Sequence, residues 1–329
     1  MAIELPLDEI RATRERLGER VIETPVYEWR AEGVLKHFPQ STRLFAKLEL
    51  LQHAGSFKAR GALNNLMSMS DDERQAGVTA FSAGNHAIAV SFAARKAGSS
   101  AKVVMPKSAN PARQERVRAE GGELVLVDTI AEAEEAVQRI QQDEGRRFIH
   151  PYEGRRTFLG TATVALEFMT QVPDLDAVIV PVGGGGLIAG MATAIKQINP
   201  NCAVYGVEPF GADTTWRSLQ SGKPEAIDEV RTIADSLGAP KAMPEGFALI
   251  QRHVDDVVRV EDDDLRAAMA RIFRDFKLAV EPAGAAATAG LFGPLKDRLG
   301  GQRVGLTFCG TNIDADTYSR HLHDAPEID

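Results

Sequence analysis

The sequence predicts an α/β protein of two lobes, each a mostly parallel, twisted sheet flanked by helices. Three observations predict it. Short apolar runs alternate with helix-patterned segments through most of the chain. Glycine-bearing turns recur where a strand-like run hands over to a helix-like one, at 82–86 and at 183–186. The 329 residues are enough for two lobes of ordinary size.

The elements follow in order. The opening MAIELPLDEIRATRERLGER reads as an amphipathic helix of mixed charge, and RLFAKLELL (43–51) as a strand. From 76 to 152 strand and helix alternate cleanly: GVTAFS then AIAVSFAARKAG, AKVVM then PARQERVRAEGG, ELVLVD then AEAEEAVQRIQQDEG, and RRFIH as a last strand. Pro111 suits a first helical turn, and Gly121-Gly122 end that helix. A helix around TATVALEFM follows, then strand DAVIVPV, a glycine turn and helix, strand AVYGVEP, helix DDDLRAAMARIFRDF, the alanine-rich EPAGAAATAGLFGPL and strand RVGLTFCG. The expected division is a large lobe of residues 1–72 and 153–329 and a small lobe of residues 73–152. Strand 43–51 would otherwise lack a sheet.

Composition narrows the function. Lys and Arg number 38 against 46 Asp and Glu, a net charge of −8, which disfavours nucleic acid as a partner. No apolar run approaches the ~18 residues of a membrane span, and the N-terminus lacks an apolar signal core. Two cysteines, Cys202 and Cys309, do not make a disulfide framework and suit a reducing cytoplasm. A small-molecule enzyme of the cytosol is the expectation.

Three segments carry chemistry. In HAGSFKARGALNN, Lys58 is flanked by small residues and leads into a helix. A partly desolvated lysine loses its proton and can condense with an aldehyde; an unremarkable lysine is a solvated charge. In Ser82-Ala83-Gly84-Asn85-His86, a turn opens a helix whose free N–H groups suit a carboxylate, unless the turn is only a cap. In VIVPVGGGGLIAGMATAI, a four-glycine turn lets backbone N–H groups converge on a phosphate. The same stretch fits the dinucleotide pattern through Gly184, Gly186 and Ala189, with Glu208 placed for a ribose. An NAD enzyme is therefore the rival reading, but it leaves the other two segments unexplained. A Walker-A loop is excluded because GK[ST] is missing.

Taken with Cys309-Gly310-Thr311-Asn312, these segments resemble the serine/threonine dehydratase group of pyridoxal-phosphate enzymes, the tryptophan-synthase-β-like fold type II. The resemblance runs from Thr24-Pro25 to about Asp314. It implies that Lys58 carries pyridoxal 5'-phosphate, with Phe57 against its ring. It assigns Gly183, Gly184, Gly185, Gly186 and Leu187 to the phosphate. Ser82, Gly84, Asn85 and His86 would meet the substrate carboxylate, and Asn85 also the ring hydroxyl. Racemases of the group have a second serine where Ala83 stands, and alanine delivers no proton, so elimination without much racemisation is expected. Cys309 matches the position opposite the pyridine nitrogen, where a neutral thiol makes the ring a weaker electron sink than a carboxylate would; a small buried cysteine is the plain alternative.

Other features are weaker. Glu208 and Ala212 match a divalent-cation site of some relatives, such as one for Mg2+, but Thr214 replaces the expected Asp. Glu281 either lines the pocket or caps its helix. Gly160-Thr161-Ala162-Thr163 replaces the family's Gly-Gln-Gly-Thr, which leaves substrate choice open, and Arg155 or Arg156 could serve a second carboxylate. The expected activity is β-elimination of water from threonine or serine, then release of ammonia and a 2-oxo acid. 3-Hydroxyaspartate or a hydroxyectoine breakdown product are the alternatives, and a non-catalytic amino-acid-binding protein is a further one. A homodimer or homotetramer is expected. With the chain ending soon after Asn312, a degradative or specialised role is favoured over feedback-regulated synthesis.

Overall fold

The computed structural model describes residues 3–328, apart from the side chain of Ile130. Among them are ten strands: β1 (Val26–Trp29), β2 (Arg43–Lys47), β3 (Val78–Phe81), β4 (Ala101–Pro106), β5 (Glu123–Val127), β6 (Arg147–Phe148), β7 (Ala177–Pro181), β8 (Ala203–Pro209), β9 (Asp256–Val260) and β10 (Arg303–Thr307). They form a six-stranded sheet ordered β1-β2-β10-β7-β8-β9 and a four-stranded sheet ordered β5-β4-β3-β6. Only β1 and β2 pair antiparallel; the other ladders are parallel. The α/β class expected from the alternating pattern is the class observed.

The central strands show why the sheets are parallel and enclosed. Ala177 to Pro181 is a continuous apolar run, buried at every position. Such a run needs cover on both faces, which helices supply. One core gathers Val178, Ile179, Ile188, Phe168, Ala285 and Leu306 about the larger sheet. A second gathers Val78, Ala80, Val103, Ile88 and Phe92 on one face of the smaller sheet, and a third places Val104, Val127 and Val137 on its other face. Each fully buried aliphatic side chain contributes about 1.5–3 kcal/mol.

The helix Lys58–Met67 lies between the sheets. Its Ala59, Leu63 and Leu66 enter the small-sheet core. On its other side Gly61 meets Gly160 of the helix Arg155–Gln171, so closely that a Cβ at Gly160 would lie 2.6 Å from the Gly61 Cα. Arg60 is fully buried among Glu49 and Glu167, at 2.8 and 2.7 Å, and Lys47 joins Glu167 at 3.0 Å. That network explains one departure from expectation. The strand read over 43–51 ends at Lys47, because 49–51 turns to present Glu49 to Arg60. Of RRFIH only Arg147 and Phe148 form a strand, and the helix read around 161–169 begins earlier, at Arg155.

Parallel strands align their C-terminal ends, and loops leaving those ends make the default site of such folds. Here β3 runs into Ser82–Gly84, β7 into the glycine turn, and β10 into Phe308–Asn312.

Candidate active site

These loops surround a cavity lined by Phe57, Lys58, Asn85, Tyr152, the glycine turn, Ser236, Glu281 and Cys309. A smaller one adjoins it behind Lys58, bounded by Gly61, Ala62, His86, Pro151, Thr157 and Thr161. Lys58 belongs to both walls.

The lysine loop is pinned to the C-terminal strand. Ser56 bridges to Gly310, and the Phe57 N–H donates to the Cys309 carbonyl at 3.2 Å. The Lys58 amine donates to the Pro151 carbonyl at 2.5 Å and stands 5.1 Å from the Phe57 ring centre. Burial pulls its pKa down to about 8, opposed by the nearby Cys309 and Glu281. It is a ready nucleophile for an aldehyde and a base near neutral pH.

The helix Asn85–Lys96 starts where the sequence places the carboxylate loop, with the Ser82 hydroxyl accepting from the Gly84 N–H at 3.2 Å. His86 is buried, and its Nε2–H donates to the Ile149 carbonyl at 2.8 Å. Burial first, and then the Lys58 charge, push its pKa to about 3, so it is a neutral wall and not a base. His150 behaves alike, pushed to about 4 by burial and Lys58.

The Asn85 amide is fixed at both ends. Its oxygen accepts from Asn312 Nδ2 at 2.6 Å, while its NH2 donates to Glu281 and to the Ser236 hydroxyl. Glu281 is not a side-chain cap of its helix; it lines the cavity. Burial raises its pKa to about 7, with Arg113 pulling the other way. Arg113 reaches across from the small-sheet side to Asp235, to Glu281 at 3.4 Å and to the Asn312 carbonyl at 3.0 Å.

The glycine turn opens the 13-residue helix Gly186–Ile198, with Gly185 at φ 83°, a left-handed conformation that favours glycine. The first N–H groups of such a helix have no intrahelical partner and draw an anion. Thr161 ties the turn from behind, its hydroxyl donating to the Gly186 carbonyl at 2.8 Å. The variant stretch Gly160–Thr163 thus serves helix crossing and loop support. Cys309 is buried, its thiol 3.4 Å from the Ala283 carbonyl, and burial holds it protonated. An amine for an aldehyde, a helix N-terminus for a phosphate and a neutral thiol for a ring nitrogen are a donor set that fits pyridoxal 5'-phosphate.

Other expected residues are not drawn in. Arg155 pairs with Glu9 on the outer surface, and Arg156 lies near Arg147, Arg16 and Glu73. Glu208 spends both oxygens on the Thr215 and Trp216 N–H groups, and no group of three or more His, Cys, Asp or Glu gathers around a metal among the described residues. Sequence reasoning missed Arg113, Tyr152 and Ser236. The first sits in an ordinary charged helix, and the last in the irregular 222–243, where no periodicity points inward.

The family described as pyridoxal-phosphate dependent enzyme matches residues 19–310. Phenylserine dehydratase of Ralstonia pickettii is 50% identical over 316 residues, covering 96% of each chain. L-threonine ammonia-lyase of Thermotoga maritima is 37% identical over 281 residues, covering 85% of this chain and 70% of that one. Among solved structures, maize serine racemase superimposes with a TM-score of 0.89 at 34% identity, covering 96% of this chain and 98% of the other.

Proposed function

Since this chain belongs to the pyridoxal-phosphate-dependent enzyme family, we infer that it is a dehydratase releasing a 2-oxo acid and ammonia from a β-hydroxy amino acid. The observation that carries this reading is Lys58, an enclosed amine with its pKa lowered to about 8 that shares a cavity with Asn85, at the start of one helix, and with the glycine turn that starts another. The cofactor, when bound, supplies the aldehyde that takes the substrate amine and a ring that acidifies Cα. Lys58 holds the cofactor and, once displaced, takes the Cα proton on Nζ. The loop 82–86 orients the substrate carboxylate through backbone N–H groups, and Asn85, its amide held by Asn312, Glu281 and Ser236, stands in the cavity wall beside the ring. Loss of the Cα proton and the β-hydroxyl removes one water. The released enamine tautomerises and hydrolyses, consuming one water and freeing ammonia. Ala83 offers no proton to the opposite face, which favours elimination over racemisation.

We further propose that the β-substituent is uncharged, with phenylserine ahead of threonine and serine. No arginine lines the two cavities among the described residues. Arg113 is engaged by Asp235 and Glu281, and His86 and His150 are held neutral. A second substrate carboxylate, as in 3-hydroxyaspartate, would enter beside Glu281, where the nearby Arg113 is already shared between two carboxylates. The 50% identity to a phenylserine dehydratase supports the aryl choice. Ammonia release across these four substrates tests it. The expected kcat/KM order is phenylserine, threonine, serine, then 3-hydroxyaspartate; preference for 3-hydroxyaspartate overturns it.

The remaining parts of this reading are a large lobe of 1–72 with 153–329, a small lobe of 73–152, a cytoplasmic location and a homodimer or homotetramer. The provenance of the strands in each sheet supports the lobes. Exposed Ile22, Tyr27 and Leu51 by the β1 edge support association. Sedimentation gives the oligomer directly.

A further inference from the structure

The outline of a divalent-cation site at Glu208, Ala212 and Thr214 does not survive folding. Glu208 is buried and accepts from the Thr215 N–H at 2.9 Å and the Trp216 N–H at 2.7 Å. It caps the helix Thr214–Ser221, and each of its oxygens is already bonded to a backbone N–H. Thr214 is buried too, its hydroxyl donating to the Ala239 carbonyl at 3.3 Å. The adjacent Asp213 is taken twice, by Arg217 Nε at 2.6 Å and Arg259 Nη1 at 2.9 Å.

Arg259 projects from β9, where the register sets it opposite Glu208. Its guanidinium carbon lies 3.5 Å from the Trp216 ring centre and 4.5 Å from that of Phe210. A positive charge is thus already present, held by one carboxylate and two aromatic faces. A dication approaching Asp213 would meet two guanidinium groups there.

We propose that Arg259 is a built-in substitute for a bound divalent cation. Its guanidinium fastens β9 to Phe210, Asp213 and Trp216 and so holds the start of the helix Thr214–Ser221 without a metal. The consequence reaches the cavity, because the chain continues from that helix to Ser236 and Leu237 in its wall, and Thr214 is bonded to Ala239 just beyond them.

The test uses the holoenzyme, with thermal midpoint, tryptophan emission and ammonia release measured after EDTA and after millimolar Mg2+, Mn2+ or Ca2+. The wild type is expected to move by less than about 1 °C in every case, with unchanged turnover. Arg259→Ala should lower the midpoint by about 3–6 °C and alter Trp216 emission. Adding Thr214→Asp to Arg259→Ala should make the midpoint rise with Mg2+ or Ca2+. A wild type that melts more than about 2 °C lower in EDTA, or higher with any of the cations, overturns the proposal. So does an Arg259→Ala protein that melts with the wild type, or a double variant indifferent to both ions. Should Arg259→Ala fail to fold, the chelation result on the wild type decides alone. Loss of the dehydratase reading would leave these midpoints untouched.

Discussion

Glu281 and Glu208 are both buried carboxylates, with burial raising one to about 7 and the other to about 8. By electrostatic perturbation alone they are equals. Their surroundings separate them. Glu281 faces a cavity and touches Asn85, Ser236 and Arg113 from three segments of chain. Glu208 faces the N–H groups of the next helix and lines neither of the two cavities beside Lys58. A shifted carboxylate marks a functional site only where space and convergent partners accompany it. Where they do not, it is a helix fastening in a dry place.

Four variants break or sharpen this comparison. The largest effect belongs to the cavity's lysine: Lys58→Ala should lower ammonia release by roughly 10³-fold or more, because both cofactor attachment and the Cα base are lost. Folding should persist, since an enclosed amine is removed and not an anchor. Gly185→Ala comes next. Its φ of 83° strains alanine, and the added Cβ would lie 2.7 Å from Ile250 Cδ1. Cofactor affinity, read by absorbance titration, should fall about tenfold.

Glu281→Gln keeps an oxygen for Asn85 and removes the titration. Its effect on kcat should be modest, about 2–10-fold. The sharper readout is pH. The folded pKa of Glu281 lies above the ordinary 4.5, so its stabilising contribution is present at low pH and is lost as pH rises from about 4.5 through 7. The variant should flatten urea stability across that window. Glu208→Gln should do the same up to about pH 8, lower the melting midpoint by about 2–4 °C, and leave kcat/KM unchanged. If Glu208→Gln damages turnover more than Glu281→Gln does, the contrast between the two sites fails.

How much of this was legible in the chain depended on whether a residue's role is local. The parallel α/β class, the lysine loop, the helix start at 82–86 and the glycine turn were readable because each is a short strand–turn–helix signature. The boundary at residue 72 was less readable, since the helix Lys58–Met67 gives its apolar face to the small-sheet core. Nothing local singles out Arg60, which tertiary packing buries between Glu49 and Glu167. Arg113 and Ser236 were invisible as site residues because Arg113 reaches Asp235 and Glu281 across 122 and 168 residues of chain, and Ser236 reaches Glu281 and Asn85 across 45 and 151, separations that no periodicity encodes. The proposed role of Arg259 was hidden by distance too. Glu208, Ala212 and Thr214 sit close in sequence, but Arg259 arrives from another strand.

The contact between Gly61 and Gly160 sets a limit on how this protein can be remodelled. With backbone against backbone there is no slack in which the lysine-bearing segment could shift to admit a bulkier guest. Breeding new substrate scope into this scaffold therefore has to proceed from the opposite wall, at the irregular stretch that carries Ser236.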